Sequence, residues 1–154
     1  MGAVEDAAVL DLFAGTGSLG LECLSRGASR AVFVDKAPQA IKAINRNVEA
    51  CRLEEKSTVY KRDVLRGLGF LKPFSPAFDL VFLDPPYEKD FAERALQLVD
   101  HAGKIQEGAL VIVEHSSREM LPERIARLAL DDRRDYGKTL VSFYRPVILN
   151  TSYS

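Results

Sequence analysis

Short, almost continuously apolar runs alternate with more polar stretches along most of the chain. Val9 to Phe13 (VLDLF), Arg30 to Asp35 (RAVFVD), Ser57 to Asp63 (STVYKRD), Phe78 to Leu83 (FDLVFL) and Gly108 to Glu114 (GALVIVE) read as five strands. Runs that are apolar throughout predict strands covered on both faces, as in a parallel sheet. Elsewhere the spacing turns helical. One stripe is Leu19, Leu21, Cys23 and Leu24, closed by Gly27; a second is Ala37, Ile41, Ile44, Val48 and Cys51, opened by Pro38. A third is Phe91, Ala95, Leu98 and Val99, opened by Asp90 and Glu93 in the pattern of a capping box. From Arg124 to Pro146 two strand-like runs meet near Tyr136-Gly137 with no helix between them, which predicts a hairpin. The order is β-α repeated about five times and then an antiparallel pair: an α/β doubly wound sheet in one domain, residues 1–154, with Asn150 to Ser154 as a frayed end.

Length and charge narrow the function little but exclude some classes. The 154 residues suit one domain with a sizeable core, no apolar run is long enough to cross a bilayer, and the N-terminus lacks a basic-then-apolar signal pattern. A cytoplasmic protein is the expectation. Cys23 and Cys51 form no C-x-x-C pair and read as buried reduced thiols, while His101 and His115 have no second ligand at metal spacing, so no metal site is expected. A net charge of −1 argues against a surface that coats polyanions, yet Arg26, Arg30, Arg46, Arg52, Lys56, Lys61, Arg62 and Arg66 leave material for a local basic patch.

Gly15-Thr16-Gly17-Ser18-Leu19-Gly20 satisfies G-x-G-x-x-G immediately after the first strand. Gly15 and Gly17 permit a tight turn and close approach of a ligand to the backbone. Asp35 ends the second strand, where a carboxylate can accept hydrogen bonds from both hydroxyls of a ribose. This pair suits NAD and S-adenosylmethionine equally, and Asp35 and Asp63 also fit helix N-caps. Asp11 can brace the loop through backbone amides. Lys36 reads as a solvated charge. Against NAD stands the chain itself, which supplies neither a second mononucleotide half nor a substrate domain.

Asp84-Pro85-Pro86-Tyr87 closes the fourth run. The two prolines remove backbone donors and leave the carbonyls of Asp84 and Pro85 free to accept. A carboxylate, carbonyls and an aromatic ring, without a nucleophile, suit a flat ring bearing an amino group. Asp84 and the Pro85 carbonyl can hold an exocyclic amine with its lone pair toward an electrophile, Asp84 can stabilise the charge developing on nitrogen, and Tyr87 can stack on a splayed-out base.

D-P-P-Y after an apolar strand resembles the motif of S-adenosylmethionine-dependent amino-methyltransferases, and DLFAGTGSLG resembles their cofactor loop. Likeness extends from VLDLFAGTGSLGLECLSRGA through FVDK, LVFLDPPY and VIVEHS to YGKTLVSFYR, most of the chain, and is closest to the family that methylates guanine N2 in 16S ribosomal RNA. The resemblance implies a Rossmann-like class I methyltransferase fold: a seven-stranded, mostly parallel sheet of order 3-2-1-4-5-7-6 with a C-terminal antiparallel hairpin. It implies that Asp11, Phe13, Ala14, Gly15, Thr16 and Gly17 contact the methionyl portion of S-adenosylmethionine, and that Asp35, with Lys36 beside it, holds the ribose. Asp63 and the Val64 backbone would meet the adenine, and Asp84, Pro85 and Tyr87 the target base. The partner implied is 16S rRNA or the small ribosomal subunit; a monomer is the plain expectation. Family members carry a basic segment before the first strand, whereas here Met1 stands a few residues ahead of Val9, so either the chain is shortened or it lacks that element. Competing readings are a DNA methyltransferase acting on adenine N6 or cytosine N4, a non-catalytic cofactor-binding module, and an NAD oxidoreductase.

Overall fold

The computed structural model describes residues 4–88 and 90–147; the frayed end expected at Asn150 to Ser154 lies outside the described residues. Eleven elements follow one another: β1 (Ala8–Leu12), α1 (Ser18–Ser25), β2 (Arg30–Asp35), α2 (Pro38–Ala50), β3 (Ser57–Lys61), β4 (Phe78–Leu83), α3 (Phe91–Ala102), β5 (Ile105–Ser116), β6 (Arg124–Ile125), β7 (Leu128–Asp135) and β8 (Thr139–Pro146). They build one sheet of order β3-β2-β1-β4-β5-β8-β7-β6. The first five neighbours run parallel, and β8 lies antiparallel between β5 and β7. This is the Rossmann-like methyltransferase arrangement with its C-terminal hairpin. It has eight strands where seven are expected. The additional one is the two-residue β6, which folds back on β7 through Ala126, whose φ is +51°, pairing Ile125 with Leu128.

The helix count differs too. "About five" β-α repeats become three α-helices. Between β3 and β4 the chain makes only single 3-10 turns, at Val64–Arg66 and Gly69–Leu71, because Gly67, Gly69 and Pro73 interrupt any longer helix. After β5 the chain passes to β6 without a helix. Asp90 does sit at the N-cap of α3, but with φ +65° and no side-chain capping bond, so the capping box is not formed.

Two apolar layers sandwich the sheet. Leu10, Leu12, Val32, Val34, Val81 and Val113 face one side, covered by α3 and the turns that precede β4. Val9, Ala31 and Phe33 face the other, covered by α1 and α2. Such alternation inside runs that are apolar throughout is what a doubly covered strand requires. On α1, Gly20, Cys23 and Leu24 are buried while Leu19 is exposed. Cys23 is a buried thiol, its pKa pushed up to about 11 chiefly by burial; Cys51, expected to be buried, is exposed at the end of α2, past the last residue of the stripe that the sheet covers. Among the described residues no helix is long and apolar enough to cross a membrane.

Candidate active site

The carboxyl ends of β1, β2 and β4 lie side by side, since Leu12 pairs with both Val34 and Leu83. Whatever follows these three strands is therefore collected along one edge of the sheet, the usual ligand edge of an open α/β sheet.

The segment after β1 is held in an unusual conformation. Phe13, Gly15 and Gly17 all have positive φ, of 60°, 60° and 79°. For a bulky residue such as Phe13 this is a rarely populated region, sustained here by the contacts around it. The Ala14 amide donates to the Val34 carbonyl at 3.0 Å, the Gly17 amide to the Ala14 carbonyl at 2.8 Å, and the Asn47 side chain on α2 donates to the Thr16 carbonyl at 2.9 Å. Gly17 and Gly20 pack against the Phe33 ring, and a Cβ at Gly20 would run into that ring. Gly15 is the opposite case. It is exposed, and a Cβ there would meet nothing within 4 Å, leaving an open cradle above the backbone.

Three carboxylates brace this half. Asp11 is 2% exposed and accepts the Gly20 amide of α1 at 3.1 Å, so it lies beneath the loop. Burial, opposed by that hydrogen bond and reinforced by Asp84 and Asp35, raises its pKa to about 7. Asp35 accepts the Gly15 amide on one oxygen and the Ala37 amide on the other, both at 2.9 Å. Each oxygen retains a further lone pair for a hydroxyl. Lys36 is exposed beside it. Asp63 lies beyond the end of β3 and caps the turn at Val64–Arg66, accepting from the Leu65 amide at 3.0 Å; the Val64 side chain is buried.

After β4 the character changes. Pro85 is buried, while Asp84, Pro86 and Tyr87 are exposed. Partial desolvation pushes the Asp84 pKa above its ordinary value, and the Glu114 carboxylate adds to the shift. Tyr87 reaches across to the far strands: its hydroxyl lies 2.9 Å from Thr139 Oγ1 and 3.5 Å from Glu114 Oε1. A cavity of about 360 Å³ opens next to it, with Glu88, Asp90, Arg118 and Met120 among its lining residues. Among the described residues the exposed large hydrophobic side chains are Leu19, Tyr87, Met120 and Tyr136, and all four lie along this same edge of the sheet.

Glu114, Thr139 and Asn47 are not distinguished by sequence pattern as site residues. The available signal for Glu114 is a charged residue near the carboxyl end of an apolar strand; Thr139 approaches Tyr87 only through pairing 52 residues away. Beneath them a buried chain locks the hairpin to β5. His115 Nδ1 faces the Glu119 carbonyl at 3.0 Å and the Ser116 carbonyl at 3.2 Å, which requires a proton on Nδ1. Ser142 Oγ then donates to Nε2 at 2.7 Å and accepts from Arg133 Nε at 2.9 Å. Burial lowers the His115 pKa, which keeps the ring neutral.

A family model described as Conserved hypothetical protein 95 matches residues 1–145. YlbH of Bacillus subtilis is 35% identical over 136 residues, spanning 88% of this chain and 74% of that protein. A protein of Escherichia coli (strain K12) named ribosomal RNA small subunit methyltransferase D is 28% identical over 142 residues, spanning 92% of this chain and 70% of the relative. The crystal structure of HI0767 from Haemophilus influenzae superposes with a TM-score of 0.82 at 28% identity, covering 94% of this chain and 89% of that one.

Proposed function

This chain belongs to the family described as Conserved hypothetical protein 95, and on that premise we propose that it is an S-adenosylmethionine-dependent methyltransferase of ribosomal RNA, acting on the exocyclic N2 of a guanine in 16S rRNA. The observation that carries the reading is the pairing of two unlike half-sites on one edge of the sheet: a backbone cradle with Asp35 after β1 and β2, and acceptors with an aromatic ring after β4. A relative named for small-subunit rRNA methylation, spanning 92% of this chain, supports the substrate class.

The residues fit the cofactor. Gly15 leaves open space where a side chain would stand, and Asp35 is fixed by two amides with lone pairs to spare for ribose hydroxyls. Asp11 to Gly17 would hold the methionyl part, and Asp63 with the Val64 backbone the adenine. When bound, the cofactor supplies a methyl group on a positively charged sulfur. Asp84 and the Pro85 carbonyl each accept one N–H of the target amine, which fixes the direction of its lone pair. As the N–C bond forms, positive charge grows on that nitrogen beside the Asp84 carboxylate. Asp84 is exposed and its pKa is raised, so it is suited to take the proton the amine sheds and pass it to water. Tyr87 stacks on the base, its ring plane fixed by Thr139. The protein works as a cytoplasmic monomer on 16S rRNA or the assembling small subunit.

The test is transfer of labelled methyl from S-adenosylmethionine to hypomethylated small ribosomal subunits, with DNA in parallel, followed by digestion to nucleosides. Label in N2-methylguanosine is expected. Label in N6-methyladenine or N4-methylcytosine of DNA would replace this reading with a DNA methyltransferase.

A further inference from the structure

We propose that Glu114 makes the base site select guanine, its carboxylate accepting the ring N1–H while Asp84 and the Pro85 carbonyl accept the two N2–H groups. This rests on the guanine-N2 reading above and gives it a reason for the choice of base. β4 and β5 are parallel neighbours in a register that pairs Leu83 with Val113, so the next residue of each chain, Asp84 and Glu114, emerges side by side at the edge of the sheet. Both are within reach of the same ring system: Tyr87, which follows Asp84 by three residues, brings its hydroxyl to 3.5 Å from Glu114 Oε1. Glu114 is half-buried, with its carboxylate on the side of Tyr87. Its charge acts on Asp84, since the Asp84 pKa is raised partly on its account.

Two adjacent carboxylates offer acceptors side by side, and they repel each other unless donors stand between them. Guanine presents such donors in a row, N1–H next to the N2 amine. Adenine N1 and cytosine N3, the ring atoms beside the exocyclic amines of those bases, carry lone pairs in place of hydrogen. A carboxylate at Glu114 opposes those lone pairs with its own. A site with a buried acceptor for a particular N–H rejects analogues that lack it, because the acceptor is then desolvated without a partner. The D-P-P-Y arrangement alone serves any of the three amines; the second carboxylate separates them.

The experiment compares wild-type protein with E114Q on small subunits whose RNA carries, at the guanine the wild type labels, either guanine or 2-aminopurine. The analogue keeps the N2 amine but has a bare N1. Wild type is expected to prefer guanine by roughly 10- to 100-fold in kcat/KM, the worth of one hydrogen bond to a charged group. The amide of E114Q can donate to a bare N1 as well as accept from N1–H, so the preference should fall to within about threefold. S-adenosylmethionine affinity and Tm should stay at wild-type values, which shows that the variant is folded. E114D, which keeps the charge but withdraws it, should lose rate on guanine yet still prefer it. An undiminished preference in folded E114Q overturns the assignment of Glu114 and leaves the proposed function standing. Absence of N2-methylguanosine from the wild-type reaction overturns both.

Discussion

The two halves of the cleft handle their carboxylates in opposite ways. On the side of β1 and β2 the carboxylates are anchored by the protein itself: Asp11 accepts from Gly20, Asp35 from Gly15 and Ala37, and Asp63, farther along the same edge, from Leu65. Their work is to fix a backbone shape, and the ligand would meet that shape already formed. On the side of β4 and β5, Asp84 is exposed and Glu114 half-buried, and the shortest side-chain hydrogen bond that orders the motif, between Tyr87 and Thr139, is borrowed from the hairpin, with the Tyr87 hydroxyl also 3.5 Å from Glu114. The first half is preorganised by backbone amides. The second is a set of acceptors that, among the described residues, the protein's own donors meet only through the long contact between Tyr87 and Glu114. Rigid positioning suits a cofactor that is the same at every turnover, whereas acceptors left open suit the discrimination between bases proposed above.

The sharpest way to break this contrast is D84A. Removal of a group that acts on charge in the transition state should reduce transfer by about 10²–10³-fold, as loss of an oxyanion-hole donor does elsewhere. S-adenosylmethionine binding, measured by calorimetry, should be unchanged; a parallel loss of cofactor affinity would show that the two halves are not separable. Next in size is D11N, read as stability against pH. Asp11 has a folded pKa of about 7 against an ordinary 3.8, so the folded state holds its proton more tightly than the unfolded state. Its contribution is fully present below pH 3.8 and is lost as pH rises through 7, about 3 kcal/mol of it between pH 5 and 8. An asparagine has no charge to bury, so the Tm of D11N relative to wild type should climb steadily over that interval. A flat difference would mean that Asp11 titrates at the same pH folded and unfolded, and so is already ionised in its buried place across the interval.

G20A should cost about 1–3 kcal/mol, because its methyl must displace the Phe33 ring. The loop above should loosen with it, so the Kd for S-adenosylmethionine should rise while the pH profile of transfer keeps its shape. Y87F is the mildest probe. It keeps the stacking face and removes the hydroxyl bound to Thr139, and transfer should slow by about three- to tenfold, equivalent to one ordinary hydrogen bond of 0.5–1.5 kcal/mol. Cofactor affinity measured on the same preparation should not move.

The sequence was most legible where structure is local. Val9 to Gly17 declares a strand and a glycine turn within a few residues, and Asp84-Pro85-Pro86-Tyr87 declares its acceptors in four. The parallel sheet and the final hairpin follow from apolar runs and from the lack of a helix between the two strand-like runs of Arg124 to Pro146. Features set by distant partners were hidden. Asp90 looks like a cap, yet its left-handed backbone takes the carboxylate out of use. The fit of Phe33 beneath Gly20, the reach of Tyr87 to Thr139, and the neutral His115 between Ser142 and two carbonyls all depend on strands that meet only in the folded sheet. The short β6 escaped for a different reason: two residues carry no period to read.

The position of β8 between β5 and β7 has a consequence in time. A chain made from its N-terminus releases the glycine loop and Asp35 early, and neighbouring parallel strands can collect around them as they appear. The strand that carries Thr139 follows both β5 and β7 in the chain, yet it must enter between them. Until it does, β5 offers a bare edge, open to pairing with another chain, and Tyr87 has no anchor. During synthesis the molecule therefore passes through a stage at which its donor side is shaped while Tyr87 still lacks Thr139, and a single late insertion both covers the edge of β5 and supplies that partner.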